Sequence, residues 1–539
     1  MKESTIRRQF DKDDAERQES LERARLCAAL TKPWVLPPDG WSEDQKLPET
    51  FSSLAARGIT NLEGRLLLAL FPPGVPWFRL EPHSKFEFDP MVDPTLIQQF
   101  KDKLHLHEMI VLSKLDNADN TRGSNARRAG FRSRQRTAIS QLLITGDVLT
   151  HLTDDYTMRV FRRDNYVTVR DDSGNVLYHI IREKIDPVIL TPKQLEKCEL
   201  DFDELLAKSV EDRLEDMYTK VSWQPQSKNW LVEQECRKTI ITTSEEKVTP
   251  FFSTPFELPP AANYGRGLIE ANLGDVRSIN ELTERVLDYA AVASKHVFAL
   301  DYNSQVRPQD LARPTGSVIQ ARVQGGQVTD VGMLRADKLS DFNVVNVVRE
   351  NIRRDLATVM LMEGETTPRG DRVTAYQVQR VARELEGALG GVYAPIADSM
   401  QVPLVDRLLY QLRKDNELPD LPDDTVSIQA VTGVAALTRE SDQGKLIQLL
   451  QTVAQLGPEA MSRFDMGNLL NLMVRQSGVF EPGIVKTDEQ IQQEQQAAQQ
   501  AAMEQQVQGQ MLQSAGKIAE TQGPEALGGM MGPLTGANQ

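Results

Sequence analysis

Between residues 339 and 391 the chain carries two amphipathic patterns separated by a polar break. Phe342, Val345, Val348, Ile352, Leu356 and Val359 recur at steps of three and four, which predicts one apolar face of a helix over 339–362. Asn343, Asn346, Glu350, Arg353 and Arg354 fall mostly on the other side. At the standard rise this rod is roughly 36 Å long. The break, EGETTPRGDR (363–372), contains Pro368 and Gly370, both hostile to a helix interior. Thr374 with Gln377 predicts a capping box, with Val373 and Val378 as its hydrophobic staple. Val378, Val381 and Leu385 extend the stripe to a stop at Gly387, Gly390 and Gly391.

A second long pattern opens at Tyr264-Gly265-Arg266-Gly267. Ile269, Leu273, Val276, Ile279, Leu282, Val286, Tyr289 and Ala293 keep helical spacing to about His296, a rod of roughly 43 Å. The two rods flank a short insert with strand-like runs at 317–321 and 328–331 and turn signals at Pro314-Thr315-Gly316 and Gly325-Gly326. So small an insert cannot cover both rods. Their apolar faces predict neighbours, which identical subunits in a ring would supply.

Ahead of the rods, residues 1–30 are mostly charged or small, with Ile6, Phe10 and Leu21 spaced for a thin amphipathic helix that packs on a neighbour. Pro33, Pro37, Pro38 and Pro48 make 33–50 irregular. Ile59, Leu62, Leu66, Leu67 and Leu70 predict a helix that ends at Phe71-Pro72-Pro73-Gly74 and leads to a strand at Trp77-Phe78-Arg79-Leu80. Further helices are expected over 93–115 and 131–145, separated by a basic stretch with Arg122, Arg127, Arg128, Arg132, Arg134 and Arg136. That stretch reads first as a solvated loop and helix start, with nucleic-acid contact as the sharper alternative. From Gly146 the pattern becomes β. YVTVRDDSGNVLYHII (166–181) alternates on both sides of a turn and predicts a hairpin, and 238–256 suggests another strand pair. Beyond the second rod, 393–412 reads as a helix interrupted at Pro403 and 415–424 as a bend. Helices follow at 438–456 and 459–476, then a Gln-rich and Gly/Pro-rich tail that reads as a frayed helix and disorder.

Composition narrows the class. The 539 residues are 40% hydrophobic and 26% charged, as expected for a soluble protein with several cores. No apolar run approaches the ~20 residues of a membrane span, and the N-terminus lacks the apolar core of a signal peptide. Three dispersed cysteines, Cys27, Cys198 and Cys236, favour a reducing compartment, read as the cytosol. A formal net charge of −15 is the wrong sign for a conventional DNA reader. It suits an ordinary acidic protein, or a ring whose surface must not hold DNA tightly.

Catalytic motifs do not surface. There is no GxxxxGK[ST] and no GxSxG. Gly265-Arg266-Gly267 begins like a dinucleotide fingerprint, but Glu270 holds the last position, so the run reads as a turn. His105 and His107 would face apart on a helix, and neither metal nor cofactor is expected.

The run RVTAYQVQRVARELEGALGGVYAPI resembles the portal, or head-to-tail connector, proteins of short-tailed bacteriophages. Similar stretches occur at 56–80, 142–181, 264–300 and 339–412. The resemblance implies a virion protein, assembled in the host cytoplasm, whose copies form a ring of twelve at one capsid vertex. A separate terminase motor drives double-stranded DNA through that ring. The implied fold is α+β, mainly α: a wing (1–265), stem helices (266–297 and 338–362) and a small α/β clip (298–337). A channel loop (363–372), a long helix with a helical crown (373–485) and a tail (486–539) complete it. Implied partners are the chain itself, DNA held non-specifically, terminase, tail or adaptor proteins, and capsid and scaffolding proteins, without a membrane. Arg353, Arg354, Arg369 and Arg372 are candidate DNA contacts, or else ion-pair partners of Glu350, Asp355, Glu363 or Asp371 across subunits. Arg307, Arg313 and Arg322 are candidate clip contacts to terminase or tail. The competing classes are a nucleotide-driven translocase and a non-channel helical adaptor.

Overall fold

The charged N-terminus folds as two helices, Thr5–Glu16 and Gln18–Ala29, in the computed structural model. That model describes residues 5–72, 77–83, 94–120, 130–293, 297–304, 306–314, 316–325, 327–329, 331–334, 339–362, 375–389, 391–418 and 426–430. Ile6 and Phe10 pack with Val167, Ile180 and Tyr218, and Leu21 enters the largest core cluster. The neighbour expected for this arm is therefore its own chain. Arg17 fixes the junction of the two helices, donating to the carbonyls of Arg163 (2.6 Å) and Asp164 (2.9 Å).

The helix Leu54–Leu70 buries Ile59, Leu62, Leu66 and Leu70 as its periodicity predicts, and it also buries Glu63. After it comes strand β1 (Phe78–Pro82); the expected turn between them, 73–76, lies outside the described residues. Phe71 makes edge contacts to Trp77 and Phe131, with ring centroids 5.0 and 5.3 Å apart. Helices Pro94–Asn120 and Phe131–Thr145 follow. Gly146 ends the latter in the left-handed region (φ +80°), its N–H donating to the Leu142 carbonyl at 3.0 Å.

The β region begins with β2 (Asp147–Leu152) and β3 (Met158–Phe161). β4 (Tyr166–Arg170) and β5 (Val176–Ile185) form the predicted hairpin, with Val167 opposite Ile180 and Val169 opposite Tyr178. The meander continues through β6 (Glu215–Gln224) and β7 (Asn229–Cys236), which the sequence reading passed over, to the edge strand β8 (Thr239–Glu246). The pairing suggested within 238–256 does not form. β8 pairs with β7, whereas β9 (Phe251–Pro255) pairs with β2 to make the sheet β3-β2-β9.

The first rod is two pieces, Leu268–Ala271 and Leu273–Ala293, and not one unbroken helix. The break lies at Asn272, whose side-chain amide donates to the Leu268 carbonyl at 2.8 Å and competes with the helical ladder. Past it lie β10 (Val297–Leu300), the two-residue strands β11 (Val323–Gln324) and β12 (Gln327–Val328), and β13 (Val331–Leu334). No strand forms at 317–321. The second rod is Leu339–Val359, followed by helices Ala375–Leu389 and Tyr393–Lys414 and strand β14 (Val426–Ala430). Gly391 takes φ +67°, consistent with the predicted stop.

Pro403 does not interrupt its helix. Proline at 403 leaves the Ser399 carbonyl without its i+4 donor, and the Thr254 hydroxyl on β9 donates to that carbonyl at 3.4 Å. A bond from a neighbouring strand thus stands in for the missing one. β14 returns to pair with β1, Phe78 opposite Ala430. The largest core cluster gathers residues from Leu21 to Leu418, including Leu356 and Met360 at the foot of the second rod. The expected break 363–372, the Thr374 cap, the helices at 438–456 and 459–476 and the tail lie outside the described residues.

Candidate functional site

Two rods lie side by side, and each is fastened at one end. The first starts where three glycines meet. A β-carbon at Gly265 would sit 2.8 Å from Pro255 Cβ, and one at Gly267 would sit 2.9 Å from the Leu143 carbonyl oxygen. The fingerprint-like glycines are thus a close-packing turn, closed by the Arg266 N–H donating to Glu257 O at 2.8 Å. Arg23 pairs with Glu270 at 3.2 Å, and Asn280 Oδ1 accepts from the N–H groups of Phe51 (2.8 Å) and Ser52 (3.1 Å).

The second rod ends against the Leu54–Leu70 helix. Asn61 donates to the carbonyls of Met360 (3.1 Å) and Leu361 (2.8 Å), and Gly58 leaves the space that the Met360 side chain fills. At the opposite ends of the rods β10 and β13 pair antiparallel, with Val297 opposite Leu334, and carry the insert between them.

Burial falls along the rods away from this base. Val276, Ile279 and Leu356 are buried, and Ile352 and Val359 pack on the core. Farther out Leu287 is 53% exposed, Val344 64%, Val347 60% and Val348 45%. The insert exposes Tyr302, Val318, Val323 and Val328 as well. The sequence carried this signal: Val344, Val345, Val347 and Val348 spread over an arc wider than one helix face, so one chain cannot bury them all.

Of the four arginines considered for DNA, Arg353 and Arg354 are exposed on the second rod. Arg369 and Arg372 lie outside the described residues. Arg353 grips Glu350 of the same helix with Nε (2.9 Å) and Nη2 (2.6 Å), and Arg354 approaches the same carboxylate at 3.9 Å. The hydrogen bond from Arg353 holds the Glu350 carboxyl below its usual range. In the insert, Arg313 pairs with Asp310 at 2.7 Å, the Arg307 N–H donates to Asp310 Oδ2 at 3.0 Å, and Arg322 is exposed. Arg349, on the same rod as Arg353, was not singled out from the sequence.

The basic stretch resolves toward structure where it is described. Arg132 donates to the Phe71 carbonyl, and Arg136 approaches the buried Glu63 carboxylate at 3.4 Å. Arg122, Arg127 and Arg128 lie outside the described residues. Among the described residues, no group of His, Cys, Asp and Glu converges to hold a metal ion, and no helix is long and apolar enough to cross a membrane. What this geometry can do is present long, partly apolar, charge-studded helices to other macromolecules.

Comparison with known proteins identifies the family. The family model described as bacteriophage head to tail connecting protein matches residues 3–485. The chain is 29% identical over 490 residues to the portal protein of Escherichia phage T7, covering 87% of this chain and 86% of that protein. It is 28% identical over 494 residues to the portal protein of Enterobacteria phage T3, covering 90% and 88%. A chain from the virion of a native gene transfer agent particle aligns with a TM-score of 0.36 at 12% identity, over 75% of this chain and 86% of that one. With its match running through both rods and the sheets around them, the chain belongs to the bacteriophage head to tail connecting protein family.

Proposed function

We propose that this chain is a portal: copies of it close into a ring at one capsid vertex and form the channel through which the genome is packaged and later ejected. Family membership supports the place in the virion, with assembly in the host cytoplasm. The observation that carries the ring is the helix pair, whose outer halves leave Leu287, Val344 and Val347 in water unless another copy covers them. Twelve subunits is the number the resemblance brings.

In this reading residues 1–265 are the wing, 266–297 and 338–362 the stem, and 298–337 the clip. Residues 363–372 are the channel loop, 373–485 the long helix and crown, and 486–539 the tail. The clip, with Arg307, Arg313 and Arg322, meets terminase during packaging and tail or adaptor proteins afterwards; capsid and scaffolding proteins surround the wing. DNA passes without sequence recognition. A ring of twelve has a formal charge of roughly −180, which keeps a polyanion from sticking, while Arg353, Arg354, Arg369 and Arg372 touch phosphates in passing.

The test is a mass measurement with negative-stain imaging of the purified full chain. A closed multimer with a central opening is expected. A single-subunit mass at high concentration would sink the proposal, a multimer without a central opening would favour a non-channel adaptor, and unaided ATP hydrolysis would favour a translocase.

A further inference from the structure

The loop joining β5 to β6 is long, ordered and closed on itself. Arg213 pairs with Asp186 at 2.5 Å, and Lys197 donates to the Ile241 carbonyl at 3.1 Å. Leu195, Cys198 and Leu205 point inward and are buried, Cys198 with Cys236 and Ile241. The short helix Phe202–Ala207 packs on the turn Pro187–Ile189. This fastened scaffold nonetheless turns large apolar side chains outward: Ile189 is 74% exposed, Val210 58%, Leu206 53%, Phe202 45% and Leu214 40%. Singly exposed apolar residues are ordinary, but five on one self-closed loop are not, and Phe202 and Leu206 stand one turn apart on the same face of their helix.

The same loop is acidic. Residues 186–214 hold eight carboxylates against four cations, and Glu199, Asp203 and Glu211 are exposed with no ion pair among the described residues. A loop that exposes apolar side chains together with unneutralised carboxylates selects its occupant. Nucleic acid and anionic lipid surfaces are repelled. A second copy presenting the same loop would bring like charge to like. What fits is a helix with an apolar stripe flanked by Lys or Arg.

We propose that the loop 186–214 is a docking surface for a basic amphipathic helix of another protein, with Phe202, Leu206 and Val210 receiving the apolar stripe and Glu199, Asp203 and Glu211 its cations. This inference does not depend on the channel reading.

The experiment uses full-length assembled protein and two labelled Leu/Lys peptides of equal composition, one with helical spacing and one scrambled, followed by fluorescence anisotropy. The helical peptide should bind at least about tenfold more tightly than the scrambled one, in line with burying a few apolar side chains. A Phe202→Ser/Leu206→Ser variant should erase that difference, and Glu199→Gln/Asp203→Asn/Glu211→Gln should flatten the salt dependence. Equal binding of the two peptides, or full binding by the serine variant, overturns the proposal. So does a change in subunit number in the serine variant, which would assign the loop to a second copy. Hydrogen exchange on the unaltered chain gives a readout free of folding defects: the helical peptide should slow exchange across 199–214, and no slowing there is a refutation.

Discussion

Glu63 sits 2% exposed on a mostly apolar helix face, with Lys32 Nζ 2.5 Å from one carboxylate oxygen and Arg136 Nε 3.4 Å from the other. A buried pair adds little net stability, yet a buried charge stripped of its partner is severe. Glu63→Ala should therefore cost about 3–5 kcal/mol in chemical denaturation, and Lys32→Met/Glu63→Leu should recover most of it. A single-variant loss below about 1 kcal/mol would mean that water already compensates Lys32. His151 makes a pH-dependent case. Its ring stacks on Phe251 with centroids 4.1 Å apart, and burial first, then Arg159 and Arg407, lower its pKa to about 3. His179, enclosed in the large sheet, is lowered to about 3 by burial and Arg170. Because the folded values lie below the unfolded one, the unfolded chain takes up protons first. The stability is complete above pH 6.5 and is lost as pH falls toward 3, by at most about 1.4 kcal/mol per pH unit for each histidine. His151→Phe should preserve the stack and make the denaturation midpoint less sensitive between pH 7 and 5; an unchanged slope would show that His151 does not report this burial.

The Tyr393–Lys414 helix shows why one element resisted reading. A proline in a helical pattern predicts a break, but Thr254, some 150 residues earlier on β9, supplies the missing bond to Ser399, and nothing local announces it. Thr254→Val should cost about 1 kcal/mol in the native chain and close to nothing in a Pro403→Ala background, where the N–H of residue 403 can bond the carbonyl instead. Equal costs in both backgrounds would separate the hydroxyl from the proline. The same distinction runs through the fold. The 131–145 helix, the 166–181 hairpin and the second rod were legible because spacing and turn residues within each segment dictate them. The partners of β1 and β9 were not, since β14 and β2 lie far away along the chain. The carboxylate-rich loop before β6 was missed because exposure of Ile189 and Phe202 is a property of packing and leaves no periodic trace.

At the scale of the whole molecule, the valines on the outer half of the second rod are costly for a lone chain, and the ring proposed above would cover them between copies. Val344→Asp/Val347→Asp changes only exposed positions, so far-UV circular dichroism should be retained while mass photometry moves from multi-subunit particles to single chains. Intact multimers in that variant would place the subunit contact elsewhere. The pairing of β1 with β14 has a consequence in time. At roughly 5–20 residues per second of synthesis, the ~350 residues between Phe78 and Ala430 take on the order of 20–70 s to emerge. Throughout that interval the Phe78 edge has no mate, so a polypeptide still tethered to its ribosome lacks the β1–β14 sheet. Completion of that sheet is in this way reserved for chains translated past residue 430.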